Sequence, residues 1–161
     1  MMINEITSTD EATHKRFIFR GLVENEVSFR LSLQDETTEG FPTRDTPYSF
    51  TLGAYSDADG LMGVVSFKRE AENRTKLAHK GLLFRMYVAN EYAGQGIAKA
   101  LITALLARVR TLSDIEQINL TVVASNERAK RLYQTLGFQV FGLVWNPTLL
   151  RPRRGILMKN G

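Results

Sequence analysis

One stretch constrains this chain more than any other: Val88-Ala89-Asn90-Glu91-Tyr92-Ala93-Gly94-Gln95-Gly96-Ile97-Ala98-Lys99-Ala100-Leu101. Before it, Leu82 to Val88 is apolar with β-branched and aromatic members, and reads as a strand. After it, Ile97, Ala100, Leu101, Ala104 and Leu105 recur at helical spacing and predict an amphipathic helix. Between the two lies a short turn with Gly94 and Gly96, where the missing Cβ lets a ligand approach the backbone. The first amides of a helix have no intrahelical partner and sit at the positive end of its dipole. The arrangement favours a phosphate or pyrophosphate. Tight packing is the other reading of such a turn, because glycine is common turn punctuation.

Two phosphate loops do not fit. A Walker loop needs Lys and then Ser or Thr after the second glycine, and here Ile97 and Ala98 follow. The dinucleotide fingerprint needs a third glycine, which is missing, and opens a βαβ unit, whereas this strand comes late.

The 161 residues suit one domain over 1–161 with a real core, and 43% hydrophobic with 24% charged residues is ordinary for a globular chain. Without cysteine there is no disulfide scaffold, thiolate zinc site or cysteine nucleophile. No run approaches the roughly 18 apolar residues that span a bilayer. Met1 to Glu5 lacks the basic and then apolar regions of a signal peptide. The expected location is therefore cytoplasmic, with no membrane partner. The net charge of +4 is spread along the chain, its densest cluster being Arg151, Arg153 and Arg154. This reads as a solvated basic surface, without a nucleic-acid partner, and also suits a ligand carrying several phosphates.

In chain order, Ile3 to Ile6 predicts a strand and Asp10 caps a helix to about Val23, which Gly21 weakens. A second helix is expected over Val27 to Asp35, and a loop from Thr37 to Pro47. Ser49–Tyr55 and Leu61–Lys68 read as strands joined by hairpin chemistry at Asp57-Ala58-Asp59-Gly60. Arg69 to Lys80 reads as a loop, then comes the strand at Leu82, and a long helix spans about Gly94 to Arg110. Ile118 to Val123 is a strand, followed by Ser125 or Asn126 as N-cap, and a helix carrying Ala129, Leu132, Tyr133 and Leu136 that ends at Gly137. Phe138–Val144 and Gly155–Lys159 close the chain as strands around a loop from Pro147 to Arg154. The order β-α-α-β-β-β-α-β-α-β-β implies an α/β (mixed α+β) fold, with a mixed sheet and helices on both faces.

Val88 to Ala98 resembles the acetyl-CoA-binding motif of the GCN5-related N-acetyltransferase (GNAT) superfamily. Val122-Val123-Ala124-Ser125-Asn126-Glu127-Arg128-Ala129-Lys130-Arg131-Leu132-Tyr133-Gln134-Thr135-Leu136-Gly137-Phe138 resembles its downstream motif, at the expected separation. The resemblance implies a three-layer fold on a mostly antiparallel sheet. It also implies transfer of an acetyl group from acetyl-CoA to a primary amine by direct attack, with no covalent enzyme intermediate and no metal. Ala93 departs from the pattern, which usually has Gln or Arg there.

By that resemblance, Ala93, Gly94, Gln95, Gly96, Ile97, Ala98 and Lys99 line the pyrophosphate of CoA, mostly through backbone amides. Met86 and Val88 lie along the pantetheine arm, and the amide at Val88 polarises the thioester carbonyl. Asn126 contacts the arm as well as capping its helix. Tyr133, two helical turns on, donates a proton to the departing thiolate; the spacing alone fits a core tyrosine equally.

No motif fixes the base that deprotonates the amine. Asp35, Glu36 and His79 are candidates, each also readable as a surface residue. Arg85 alternates to the same side as Tyr87 and would need a partner if buried. Specificity for a small-molecule or protein amine falls to Thr37–Tyr48 and Trp145–Arg154, with Arg44, Trp145 and Arg151 as contacts. A GNAT fold that binds acyl-CoA without transferring is the alternative, and a nucleic-acid-binding domain the more distant one. Exposed sheet edges allow a homodimer.

Overall fold

In a computed structural model, residues 1–25, 32–58, 60–71, 73–145 and 154–160 are described, without the side chains of 33, 143–145 and 154–157. Strands β1 (Met2–Ile6), β2 (Ser49–Tyr55), β3 (Leu61–Arg69), β4 (Lys80–Val88), β5 (Gln117–Val123), β6 (Gln139–Trp145) and β7 (Arg154–Asn160) alternate with helices α1 (Glu11–Glu24), α2 (Leu33–Thr38), α3 (Ile97–Val109) and α4 (Glu127–Thr135) in the expected order. Among the described residues the strands form one seven-stranded sheet, ordered β1-β2-β3-β4-β5-β7-β6. Every pairing is antiparallel except β4 with β5.

Helices cover both faces, and each face has its own apolar cluster. On one, Phe50, Leu52 and Phe67 of the sheet pack against α3 through Leu101, Ile102 and Leu105, and against Tyr133 of α4. Fully burying a side chain of this size is worth roughly 1.5–3 kcal/mol. Those three α3 residues are completely buried, so they fix the helix, and with it the turn at its start, on the sheet. On the other face, Phe17, Ile18 and Leu22 of α1 pack on Ile6, Val64 and Tyr87.

Gly21 does not interrupt α1. A Cβ there would lie 2.7 Å from Cε1 of Tyr87, so the glycine admits the tyrosine ring against the helix. The entropic cost of a helical glycine, about 1 kcal/mol, is offset by that packing.

The second helix is displaced from its expected place. Of Val27 to Asp35, residues 27–31 lie outside the described ones, and α2 runs on to Thr38, into the expected loop. The local reason is a capping box. Ser32 Oγ accepts from the Asp35 amide at 3.1 Å, and the Asp35 carboxylate accepts from the Ser32 amide at 3.0 Å.

β4 carries the irregularity that shapes the molecule. Val64 pairs with Tyr87 and Ser66 with Phe84, so Arg85 and Met86 together oppose Val65. This is a β-bulge, and Arg85 takes the left-handed backbone conformation, φ 49°. The extra residue shifts the phase of the strand. Leu83, Met86 and Val88 all face the α3 cluster, which regular alternation forbids, while Tyr87 faces α1. β4 also parts from β5. The two pair only over Lys80–Leu82 with Gln117–Asn119, after which β4 runs to Val88 and β5 to Val123 unpaired to each other.

Candidate active site

The parting of β4 and β5 opens a cleft of about 800 Å³. Its walls are β4 from Leu82 to Val88, β5 from Leu120 to Val122, and the first turns of α3 and α4.

The glycine turn closes one end. Gly94 and Gly96 hold φ of 83° and 79°, a region that an L side chain enters only with strain. Gly96 caps α3, and the first helical bond runs from the Ala100 amide to the Gly96 carbonyl at 3.0 Å. No amide from Gly94 to Lys99 has an acceptor among the described residues. Apart from its chain neighbours, a Cβ at Gly96 would meet no atom of the described residues within 4 Å, so the space beside this residue of the turn is open. Ala93, Gly94, Gly96, Ile97, Ala98 and Lys99 line the cleft. The Gln95 side chain instead turns back to the Glu91 carbonyl at 3.3 Å, leaving only its amide at the turn. Unpaired N–H groups at a helix N-terminus, with room in front, suit a pyrophosphate.

Met86 and Val88 line the same cleft. The Ala89 amide donates to Met62 O of β3 at 2.9 Å. Successive amides of an extended strand point to opposite sides, so the Val88 amide is directed away from β3 and into the gap. The bulge just upstream sets this phase.

Asn126 caps α4, its side-chain oxygen accepting from the Ala129 amide at 3.1 Å, and it also lines the cleft. Tyr133 is 7% exposed, with its ring edge-on to Phe138 at 5.7 Å between centroids. Its hydroxyl makes no hydrogen bond among the described residues, although the residue lines the cleft. Burial pushes the phenol well above its ordinary range, so it keeps its proton at neutral pH.

The far side of the cleft holds Glu39 and Arg85. The Arg85 side chain is 9% exposed and faces two carboxylates of the α2 region, Glu39 Oε2 at 2.5 Å and Glu36 Oε2 at 3.1 Å. These ion pairs answer the need of a buried arginine for a partner, although Arg85 Nη1 and the Glu36 Oε2 facing it make no hydrogen bond among the described residues. Of the base candidates, Glu36 is 2% exposed and stands against Arg85 outside the cleft lining. Burial raises its carboxyl and Arg85 opposes the rise. Asp35 is occupied in the capping box. His79 lies at the closed end, its carbonyl accepting from the Glu116 amide where β4 and β5 still pair. Arg44 does not line the cleft, Trp145 has no described side chain, and Arg151 lies outside the described residues.

His14 of α1 joins the Arg85 cluster at 1% exposure, edge-on to Phe41. Burial, and then the Arg85 charge, lower its pKa from 6.5 to about 4. Between those values the unfolded chain binds the extra proton. Stability should therefore fall as pH drops from about 6.5 toward 4. Urea unfolding at the two pH values checks this. His14→Phe should flatten the dependence, and an unchanged slope would contradict the assignment.

Reading the sequence did not find Arg128. It stands in the first turn of α4, and its Nη2 lies 3.5 Å from where a Cβ on Gly94 would be. The contact joins residues 34 positions apart, and only the folded cleft brings them together.

Comparison with known proteins agrees with this geometry. The pattern of the Acetyltransferase (GNAT) family matches residues 16–138. The spermine/spermidine N(1)-acetyltransferase of Bacillus subtilis is 35% identical over 60 residues, which are 37% of this chain and 40% of that protein. The match thus spans about two fifths of the length of that curated relative. An acetyltransferase of the GNAT family from Streptococcus pneumoniae superposes with a TM-score of 0.83 at 20% identity, over 99% of this chain and 98% of its own. A Salmonella typhimurium structure with its cofactor acetyl-CoA gives 0.79 at 16% identity, over 99% and 92%. Both superpositions show the same fold, and the matched pattern contains both motifs that line the cleft. This chain is a member of the GNAT acetyltransferase family.

Proposed function

We propose that this chain is an acetyl-CoA-dependent N-acetyltransferase whose acceptor is a primary amine. One observation supports the reading above the rest: the parted strands end at a turn of free amides, with Tyr133 on the facing wall. Acetyl-CoA supplies the acetyl group as a thioester, a carbonyl with a good leaving group. The amides of Gly94 to Lys99 hold its pyrophosphate, and the open edge of β4 from Met86 to Val88 orients the pantetheine arm. The Val88 amide donates to the thioester oxygen, where negative charge grows during attack. The Tyr133 hydroxyl donates to the sulfur as it departs. The amine's proton leaves through water or a carboxylate on the Glu39 side.

A diamine or polyamine heads the acceptors to test. The relative named above acts on spermine and spermidine, and Glu39 offers a half-exposed carboxylate at the acceptor side. Protein amines remain within the same reading. The chain has no cysteine, so a thiol reagent reads only the CoA released. A panel of polyamines, amino acids, aminoglycosides and peptides should give amine-dependent release with at least one class. Saturable acetyl-CoA binding with no release from any class would favour the second reading, a binding protein without transfer. That reading draws on Glu36 and Glu39 both being engaged by Arg85.

A further inference from the structure

Ala93 is exposed on the rim of the cleft and carries no donor, where the family pattern usually has Gln or Arg. The turn therefore offers a pyrophosphate amides but no side-chain cation from that position. The facing wall provides one. Asn126 fixes the first turn of α4 by capping it, and Arg128 follows two residues later. Its guanidinium lies over Gly94, with Nη2 at 3.5 Å from that residue's Cβ position. The adjacent Glu127 is engaged by Lys130 at 2.6 Å, and no carboxylate among the described residues pairs with Arg128. A second basic residue, Arg131, lines a neighbouring depression that also includes Asn126 and Arg128, but not the cleft itself.

We propose that Arg128, reaching across from α4, supplies to the cofactor's pyrophosphate the side-chain cation that Ala93 lacks. The inference rests on the acetyl-CoA reading above. An ionised donor makes hydrogen bonds about twice as strong as neutral ones, and the planar guanidinium fork matches phosphate oxygens. Arg128 is exposed in the free protein, so its charge costs little desolvation before the ligand arrives. A guanidinium at position 93 would reach the same oxygens. The two positions are then alternatives, and their effects should not add.

The experiment is a calorimetric titration of acetyl-CoA into the parent chain, Arg128→Ala, Ala93→Arg, the double variant and Arg131→Ala, with melting temperatures alongside. Arg128→Ala should weaken binding about tenfold without a change in melting temperature. Ala93→Arg alone should change affinity by less than about threefold, yet restore most of the loss in the double variant. Arg131→Ala should bind nearly as the parent. The Arg128→Ala loss should persist with 3′-dephospho-acetyl-CoA, which keeps the pyrophosphate. Parent-like binding by Arg128→Ala would overturn the inference. So would a loss that vanishes with the dephospho ligand, or a double variant that recovers nothing. Failure of the parent chain to bind acetyl-CoA would instead overturn the functional reading beneath it.

Discussion

Replacing Tyr133 by Phe should lower kcat by roughly 10²-fold, about 2.7 kcal/mol, with acetyl-CoA affinity and melting temperature close to the parent's. The ring is the structural part of this side chain. It packs edge-on to Phe138, and phenylalanine keeps it. The hydroxyl has no partner among the described residues, so deleting it leaves no buried group unpaired and takes little from stability. Its value lies in the transition state, where negative charge collects on the departing sulfur. Burial keeps the phenol protonated at neutral pH, as a donor must be. A thiolate is already a good leaving group, which sets a ceiling on the effect. Full turnover by Tyr133→Phe at saturating acceptor would remove the donor role and leave Tyr133 as a core residue.

A second large effect is expected at the glycine turn. Gly96→Val should weaken acetyl-CoA binding at least tenfold, about 1.4 kcal/mol. Apart from its chain neighbours, no atom of the described residues lies within 4 Å of a Cβ at this position, so the substitution meets no tertiary clash among them. It fails for two other reasons. The backbone φ of 79° costs an L residue roughly 1–2 kcal/mol, more when β-branched, so the turn shifts and re-aims its amides. The added branch also fills the space in which a pyrophosphate would meet the first amides of α3. Gly96→Ala separates these causes, since it introduces most of the strain with little bulk. Normal binding by Gly96→Val with the fold intact would refute the phosphate-loop reading.

The elements that carry both positions were legible in the sequence because their signals are local. Glycine before an apolar run of period 3.6 marks Gly96 as the start of α3. Asn126 and Tyr133 lie seven residues apart on one helix, and the structure brings both to the cleft. What escaped detection depends on contacts distant in sequence or on backbone detail. Arg85 has ordinary strand neighbours, and nothing in them announces a left-handed residue. Its bulge follows from the register against Val65 and from carboxylates of the α2 region. Glu36 reads as a surface acid just after the expected second helix, yet burial beside Arg85 makes it interior. The displacement of α2 is different in kind. The Ser32 and Asp35 spacing carries a capping signal that the expectation of a helix over Val27 to Asp35 does not include. Arg128 meets the glycine turn only after β5 and α4 have folded around the cleft.

The most direct test of the account is an NMR titration of the isotope-labelled chain with acetyl-CoA. One-to-one saturable binding should shift the amide signals of Val88, Gly94 to Lys99 and Asn126, the groups that surround the gap between β4 and β5. Signals from β1 and the outer face of α1 should stay in place. Absence of binding, or saturable binding that leaves the amides from Gly94 to Lys99 unmoved, would contradict the claim that this cleft is the acetyl-CoA site.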